Sequence, residues 1–159
     1  MADLFGDKEF TFLKSLQEHK VNFMIVGLSA ATLQGAPVVT QDIDLWFENR
    51  QDPNLKRALK SVGAAYVPQI GLNPPAIAGG AAEMFDVVSS MNGLGSFSEE
   101  LKNTSFIEIK GLKVRILNLD RIIVSKEAAN RPKDKLVLPI LRDVWATLKS
   151  RNRYNDTMT

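Results

Sequence analysis

The sequence predicts a small α/β or α+β domain that ends in a helical hairpin. Three observations predict it. The apolar residues switch repeatedly between a period of two and a helical period. The resulting order is helix, strand, helix, strand, helix, loop, strand, hairpin, helices. With 159 residues, 45% of them hydrophobic, the chain suits one globular core with a small helical extension.

Each element has a local reason. Phe10, Leu13 and Leu16 recur at helical spacing, so a first helix is expected from an Asp7 cap to about His19. Residues 21–26 form a short apolar run ended by Gly27 and read as a strand. A helix is expected over Ser29–Leu33, stopped by Gly35, and a second strand over Thr40–Glu48. Asp52-Pro53 starts a third helix, because proline at the first helical position gives up an N–H that has no partner anyway. Leu55, Ala58, Leu59 and Val62 form its apolar stripe, and Gly63 ends it. Residues 67–82 are rich in Pro, Gly and Ala and read as a loop. Met84–Val88 reads as the next strand, with a short helix near Ser98–Lys102. Phe106–Lys110 and Lys113–Leu117 flank Gly111 as a hairpin. Asn118 is expected to cap a helix over Leu119–Ala129, which Arg131-Pro132 breaks. A last helix is expected over Lys133–Lys149, kinked or restarted at Pro139. The division is a core over residues 1–118, a helical extension packed on it over 119–150, and a frayed tail over 151–159.

Composition narrows the function classes. There is no cysteine, which excludes disulfides and thiolate metal sites, and a single histidine, His19, which excludes a multi-histidine metal site. The N-terminal stretch MADLFGDKEF lacks a basic and then apolar signal pattern, and no apolar run reaches the ~18 residues needed to span a bilayer. A cytoplasmic protein with no membrane partner is expected. Residues 1–109 carry 8 Lys/Arg against 13 Asp/Glu, and residues 110–159 carry 12 against 5. A basic C-terminal third beside an acidic N-terminal part suits a polyanionic substrate, and a solvated helical face explains it equally well.

The chemistry is concentrated in residues 26–48, VGLSAATLQGAPVVTQDIDLWFE. In the strand, Ile43, Leu45 and Phe47 fall on one face and Asp42, Asp44, Trp46 and Glu48 on the other. Carboxylates two residues apart on one face stand roughly 6–7 Å apart at the backbone. They repel one another and call for a cation or solvent, and magnesium takes carboxylate and phosphate oxygens. Asp86, in the apolar strand FDVV, completes a triad if that strand lies beside the first. Gly27 lets the backbone approach a ligand closely. Ser29 can donate to a phosphate oxygen at the start of the following helix. Trp46 shares the acidic face and is expected in core or rim packing.

A Gly-x-Ser turn opening a helix, an Asp-x-Asp strand and a third Asp on a neighbouring strand resemble the signature of the polymerase-beta-type nucleotidyltransferase superfamily. The pattern looks closest to the small prokaryotic members related to AbiEii-type toxins and to minimal nucleotidyltransferases. The stretch SKEAANRPKD at Ser125–Asp134 is similar to that group's pattern, and the likeness covers roughly Phe23–Leu141. The resemblance implies a mixed sheet flanked by helices and transfer of a nucleoside monophosphate from an NTP to a hydroxyl, with Mg²⁺ or Mn²⁺. By it, Asp42 and Asp44 bind metal, and Asp86 is both a shared ligand and the general base. Gly27 and Ser29 contact the distal phosphates.

Two positions depart from the pattern. Leu28 replaces a residue that is often small, and Val38 and Val39 stand where many relatives carry an arginine. Lys126, Arg131 and Lys133 are then the candidates for the missing basic group. The acceptor is a protein, an RNA or a small molecule, and a homodimer or partner protein is a further expectation. Two other classes remain: a catalytically inactive partner-binding protein, such as a toxin–antitoxin component, and a nucleic-acid-binding module driven by residues 110–153.

Overall fold

A computed structural model describes residues 5–158 of the chain. Its centre is a five-stranded mixed sheet in the order β5-β2-β1-β7-β6. The strands are β1 (Phe23–Val26), β2 (Ile43–Phe47), β5 (Phe85–Val88), β6 (Thr104–Ile109) and β7 (Leu112–Leu117). β1 runs antiparallel to β2 and parallel to β7, while β2 and β5 are parallel. All four residues of β1 are buried, as expected for a central strand covered on both faces.

The helices are α1 (Asp7–Glu18), α2 (Gly27–Leu33), α3 (Pro53–Ser61), α4 (Phe97–Glu100), α5 (Leu119–Ala129) and α6 (Pro132–Met158). α1 buries Phe12, Leu13 and Leu16, and the Phe12 ring meets the edge of Phe85 at 4.8 Å. Its cap is Gly6, so Asp7 is the first helical residue and places its charge at the positive end of the helix. The Asp52 carboxylate accepts the Asn54 N–H and caps α3 as its sequence implies. Asn118 precedes α5 without a side-chain cap bond; its amide oxygen instead accepts the Ser105 hydroxyl at 2.5 Å, tying the helix start to β6.

Three expectations need correction. Residues 67–82 are not all loop. Ala65–Val67 (β3) and Ala76–Ala78 (β4) pair as a two-stranded antiparallel sheet, and Gly80–Ala82 makes a 3-10 turn. Three-residue strands are too short to show a period among Pro and Gly. The second strand starts at Ile43 rather than Thr40, whose hydroxyl donates to the Asp42 carbonyl in a bend. The tail does not fray at Lys149: α6 runs through Pro139 to Met158. Pro139 removes one N–H, but the Lys135 carbonyl it would have bonded sits on the exposed side, where water can serve it. Nothing in KSRNRYNDTM is a strong helix breaker.

α5 and α6 form the expected helical hairpin. Asn130, at φ 51°, turns the chain between them, the left-handed position that asparagine tolerates after a helix. Leu119, Ile122, Leu138 and Leu141 are buried in the same cluster as the sheet residues, so the hairpin shares one core with the sheet. No described helix is long and apolar enough to cross a membrane.

Candidate active site

The parallel pairing of β2 and β5 sets Asp44 directly opposite Asp86. Adjacent strands lie about 4.8 Å apart, so the two carboxylates project side by side from one face. Asp42, in the bend before β2, comes within hydrogen-bonding reach of Asp86. The third carboxylate thus stands beside the Asp-x-Asp pair, as its strand position predicts.

Electrostatics record the crowding. Burial, with the neighbouring charge of Asp86, raises the Asp44 pKa to about 6; Asp42 adds to the rise, while Lys126 and Lys133 oppose it. Asp86 is also raised, first by burial and then by the Asp42 charge and its hydrogen bond. These are hard oxygen donors held close together at a cost.

Backbone geometry at the end of β1 fixes Asp44. Val26 pairs with Asp44 across the antiparallel ladder. Gly27 follows at φ 64°, and a Cβ built there would fall 2.4 Å from the Asp44 Oδ2. The carboxylate therefore occupies the space a side chain at 27 would need. Ser29 is fully buried; its hydroxyl donates to the Val26 carbonyl at 2.7 Å and accepts the Asp44 N–H at 3.1 Å. With its proton spent on Val26, Ser29 clamps the two strands and is turned toward the Asp44 backbone.

Opposite the carboxylates stands the turn between α5 and α6. A cleft of about 410 Å³ is lined by Gly27, Leu28 and Asp44 on one side and by Lys126, Arg131 and Lys133 on the other. Asp42, Asp86 and Ser29 are not part of that lining. The basic side chains are organised by Asp134, which is fully buried. Its carboxylate accepts the Arg131 Nε at 2.7 Å and the Arg131 backbone N–H at 3.1 Å, and it lies 3.4 Å from the Lys126 Nζ. The Arg131 hydrogen bonds hold the Asp134 carboxyl down at about 2. Lys133 has no described ion pair of this kind and faces Asp44.

Sequence reasoning missed the segment after β5. Ser90, Met91 and Asn92 wall the cleft, and no residue pattern there announces it. Gly93 approaches α5 so closely that a Cβ would sit 2.6 Å from the Ala128 Cβ. Just beyond, Glu100 receives two hydrogen bonds from Arg121 of α5, at 2.8 and 2.9 Å, and another from the Gly95 N–H. The Arg121 guanidinium holds the Glu100 carboxyl down at about 2. The chain leaving this wall is therefore pinned to α5 at Gly93 and again at Glu100. Trp46 packs edge-on against Phe97 at 5.8 Å and is buried, as expected of core packing.

The fold matches solved structures. Over 95% of this chain and 94% of the other, it superposes on the antibiotic-resistance factor ANT(2'')-Ia with a TM-score of 0.55 at 17% identity. The chain has a nucleotidyltransferase fold. The lincosamide antibiotic adenylyltransferase LnuA, lincomycin-bound, matches at a TM-score of 0.57 and 17% identity, covering 87% of this chain and 98% of that one. An antigenic nucleotidyltransferase-like protein from Paracoccidioides brasiliensis matches at 0.52 and 16% identity, over 94% and 90% of the two chains. No protein-family model and no curated protein matches the sequence. The likeness reaches the nucleotidyltransferase fold and not the AbiEii-related subgroup.

Proposed function

We propose that this protein is a metal-dependent nucleotidyltransferase that moves a nucleoside monophosphate from an NTP to a hydroxyl group and releases pyrophosphate. The observation that carries this reading is the register pair Asp44–Asp86, with Asp42 beside it, and the cleft that Asp44 shares with Lys126, Arg131 and Lys133. Lys126, Arg131 and Lys133 balance the triphosphate, in the place of the arginine that Val38 does not supply. Leu28 and Gly27 form the floor under it.

No group of three or more carboxylate or histidine side chains among the described residues forms a preformed metal cage. The donor set nonetheless fits magnesium or manganese, because magnesium is commonly held by one or two carboxylates together with substrate phosphates. Asp42 and Asp44, with Asp86 shared, are the residues that would hold it. Held there, the ion would supply positive charge against that developing on the transferred phosphoryl group and on the leaving pyrophosphate.

The protein's own part follows from position. Asp86 is exposed at the strand face, and its raised pKa suits it to accept a proton. The acceptor hydroxyl oxygen forms a bond to the α-phosphorus. Its proton passes to Asp86, and the bond from the α-phosphorus to the bridging oxygen of the β-phosphate breaks. Lys126 and Lys133 meet the charge of the departing pyrophosphate. A small-molecule hydroxyl is the acceptor class we favour. Two structural neighbours are described with antibiotic substrates or products, adenylyl-2''-tobramycin and lincomycin, and the chain spans nearly the whole length of both.

The test is incubation with each NTP labelled at the α-phosphate, Mg²⁺ and a small-molecule extract. Wild type is expected to produce labelled acceptor and pyrophosphate, and Asp86→Asn to slow the step by about 10²–10⁴-fold. Absence of both transfer and metal-dependent NTP binding in wild type would sink the reading in favour of a partner-binding role.

A further inference from the structure

A second and larger cleft, about 910 Å³, opens where β2 and β5 end. It is continuous with the candidate active site in two ways. Ser90 lines both clefts. Side chains also alternate along a strand, so Trp46 follows Asp44 on its face, and Val88 follows Asp86. Trp46 and Val88 are register partners, directly beyond the Asp44–Asp86 pair. The face that carries the carboxylates thus leads into this cleft. Ser90 lies two residues past the end of β5 and four past Asp86, at most about 14 Å away.

We infer that this cleft binds the acceptor, and that the acceptor is an elongated, hydroxyl-rich molecule of disaccharide size carrying an anionic group. The inference rests on the nucleotidyltransferase reading above and adds the substrate class. Size is bounded by the separation of Ser90 and Asp86, which the molecule must bridge to present a hydroxyl, and by the cleft volume of about 910 Å³. Hydroxyl preference follows from the walls. The side-chain amides of Asn49, Gln51 and Gln69 offer donors and acceptors together, as do the hydroxyls of Ser89 and Ser96. Charge follows from the balance. The lining holds one carboxylate, Glu48, against two cations, Arg50 and Lys56. Arg50 donates to the Ser89 hydroxyl at 2.9 Å, which bridges the exits of β2 and β5 and fixes the guanidinium at the cleft. Such a lining disfavours a polycationic amine, whose charges would need several carboxylates.

Isothermal titration on the full chain tests this with three probes: trehalose 6-phosphate, trehalose and the polycation kanamycin. Saturable binding is expected for trehalose 6-phosphate and weaker binding for trehalose, with none for kanamycin. Lys56→Glu and Gln69→Glu, both on exposed positions, are expected to weaken the phosphate probe at least about fivefold. Failure of both sugars to bind overturns the proposal, as does tighter binding of kanamycin, equal affinity for the two sugars, or indifference to both variants. Asp44→Asn separates the two readings. Sugar binding that persists in this variant alongside lost NTP turnover supports both. NTP turnover in wild type without sugar binding overturns the acceptor class alone. Sugar binding without NTP turnover removes the transferase and with it the acceptor role, leaving only a sugar-binding cleft.

Discussion

Asp44 shows how a single residue carries cost and chemistry together. Its carboxyl is raised to about 6 by burial first, then by the charge of Asp86. A raised carboxyl makes the folded state bind a proton more tightly than the unfolded one. The associated stability is present below the unfolded pKa and is lost as pH rises through about 6. Asp44→Asn is therefore expected to raise the melting temperature at pH 8 in the absence of divalent cation, by about 1–3 kcal/mol of stability. The gain is expected to disappear near pH 4. Thermal unfolding followed by circular dichroism at both pH values checks this, and equal melting temperatures at pH 8 would remove the crowding argument. Gly27 is the counterpart. Gly27→Ala meets both the positive φ and the Asp44 Oδ2, so it is expected to cost about 1–3 kcal/mol and to displace the carboxylate. The same melting experiment reads the first effect, and loss of metal-dependent NTP binding reads the second.

At the scale of elements, the turn between α5 and α6 is held by Asp134, whose charge is buried but fully paired. Its carboxyl is depressed to about 2, so its contribution is present above the ordinary carboxylate value of 3.8 and is lost as pH falls toward 2. Asp134→Asn leaves Arg131 and Lys126 without their anion and is expected to cost about 3 kcal/mol at pH 7. The loss is expected to be largely gone at pH 2, and denaturant titrations at the two pH values read the difference. The elements also show what the sequence made legible. α3 and the β6–β7 hairpin were readable because proline, Asp52 and Gly111 punctuate them and their apolar residues repeat at a clear period. The Asp-x-Asp strand was readable because two acids in alternation contradict strand preference and so demand a reason. β3 and β4 were not readable, since three residues cannot show a period. Nor was the wall at residues 90–92, whose placement depends on Gly93 meeting Ala128 and on Glu100 meeting Arg121, contacts made only in three dimensions. Ser29 is buried beside the Asp44 backbone. Its hydroxyl direction, however, is set by the Val26 carbonyl and Asp44 N–H, which sequence spacing cannot reveal.

Across the whole molecule, the basic C-terminal third divides into two parts. Lys126, Arg131 and Lys133 line the cleft with Asp44, and the charges of Lys126 and Lys133 act on it. Lys149, Arg151 and Arg153 lie on the distal part of α6, where residues 149–158 are exposed. Core residues of α6 end at Leu141, with Val144, Trp145 and Leu148 packed partly against the cluster. A helix segment that buries no apolar residue contributes little to cooperative folding. Deleting residues 151–159 is therefore expected to shift the melting temperature by less than about 3 °C, the range of a change under 1 kcal/mol in a domain of this size. NTP binding is expected to persist, because the cleft's cations remain. The same truncation discriminates between uses of the charge. If the distal arginines served a nucleic acid, RNA affinity would fall in the truncated chain and its salt slope would flatten by about one phosphate contact per arginine lost. If the basic third exists for the triphosphate, neither changes, and only substitutions at Lys126, Arg131 or Lys133 weaken binding.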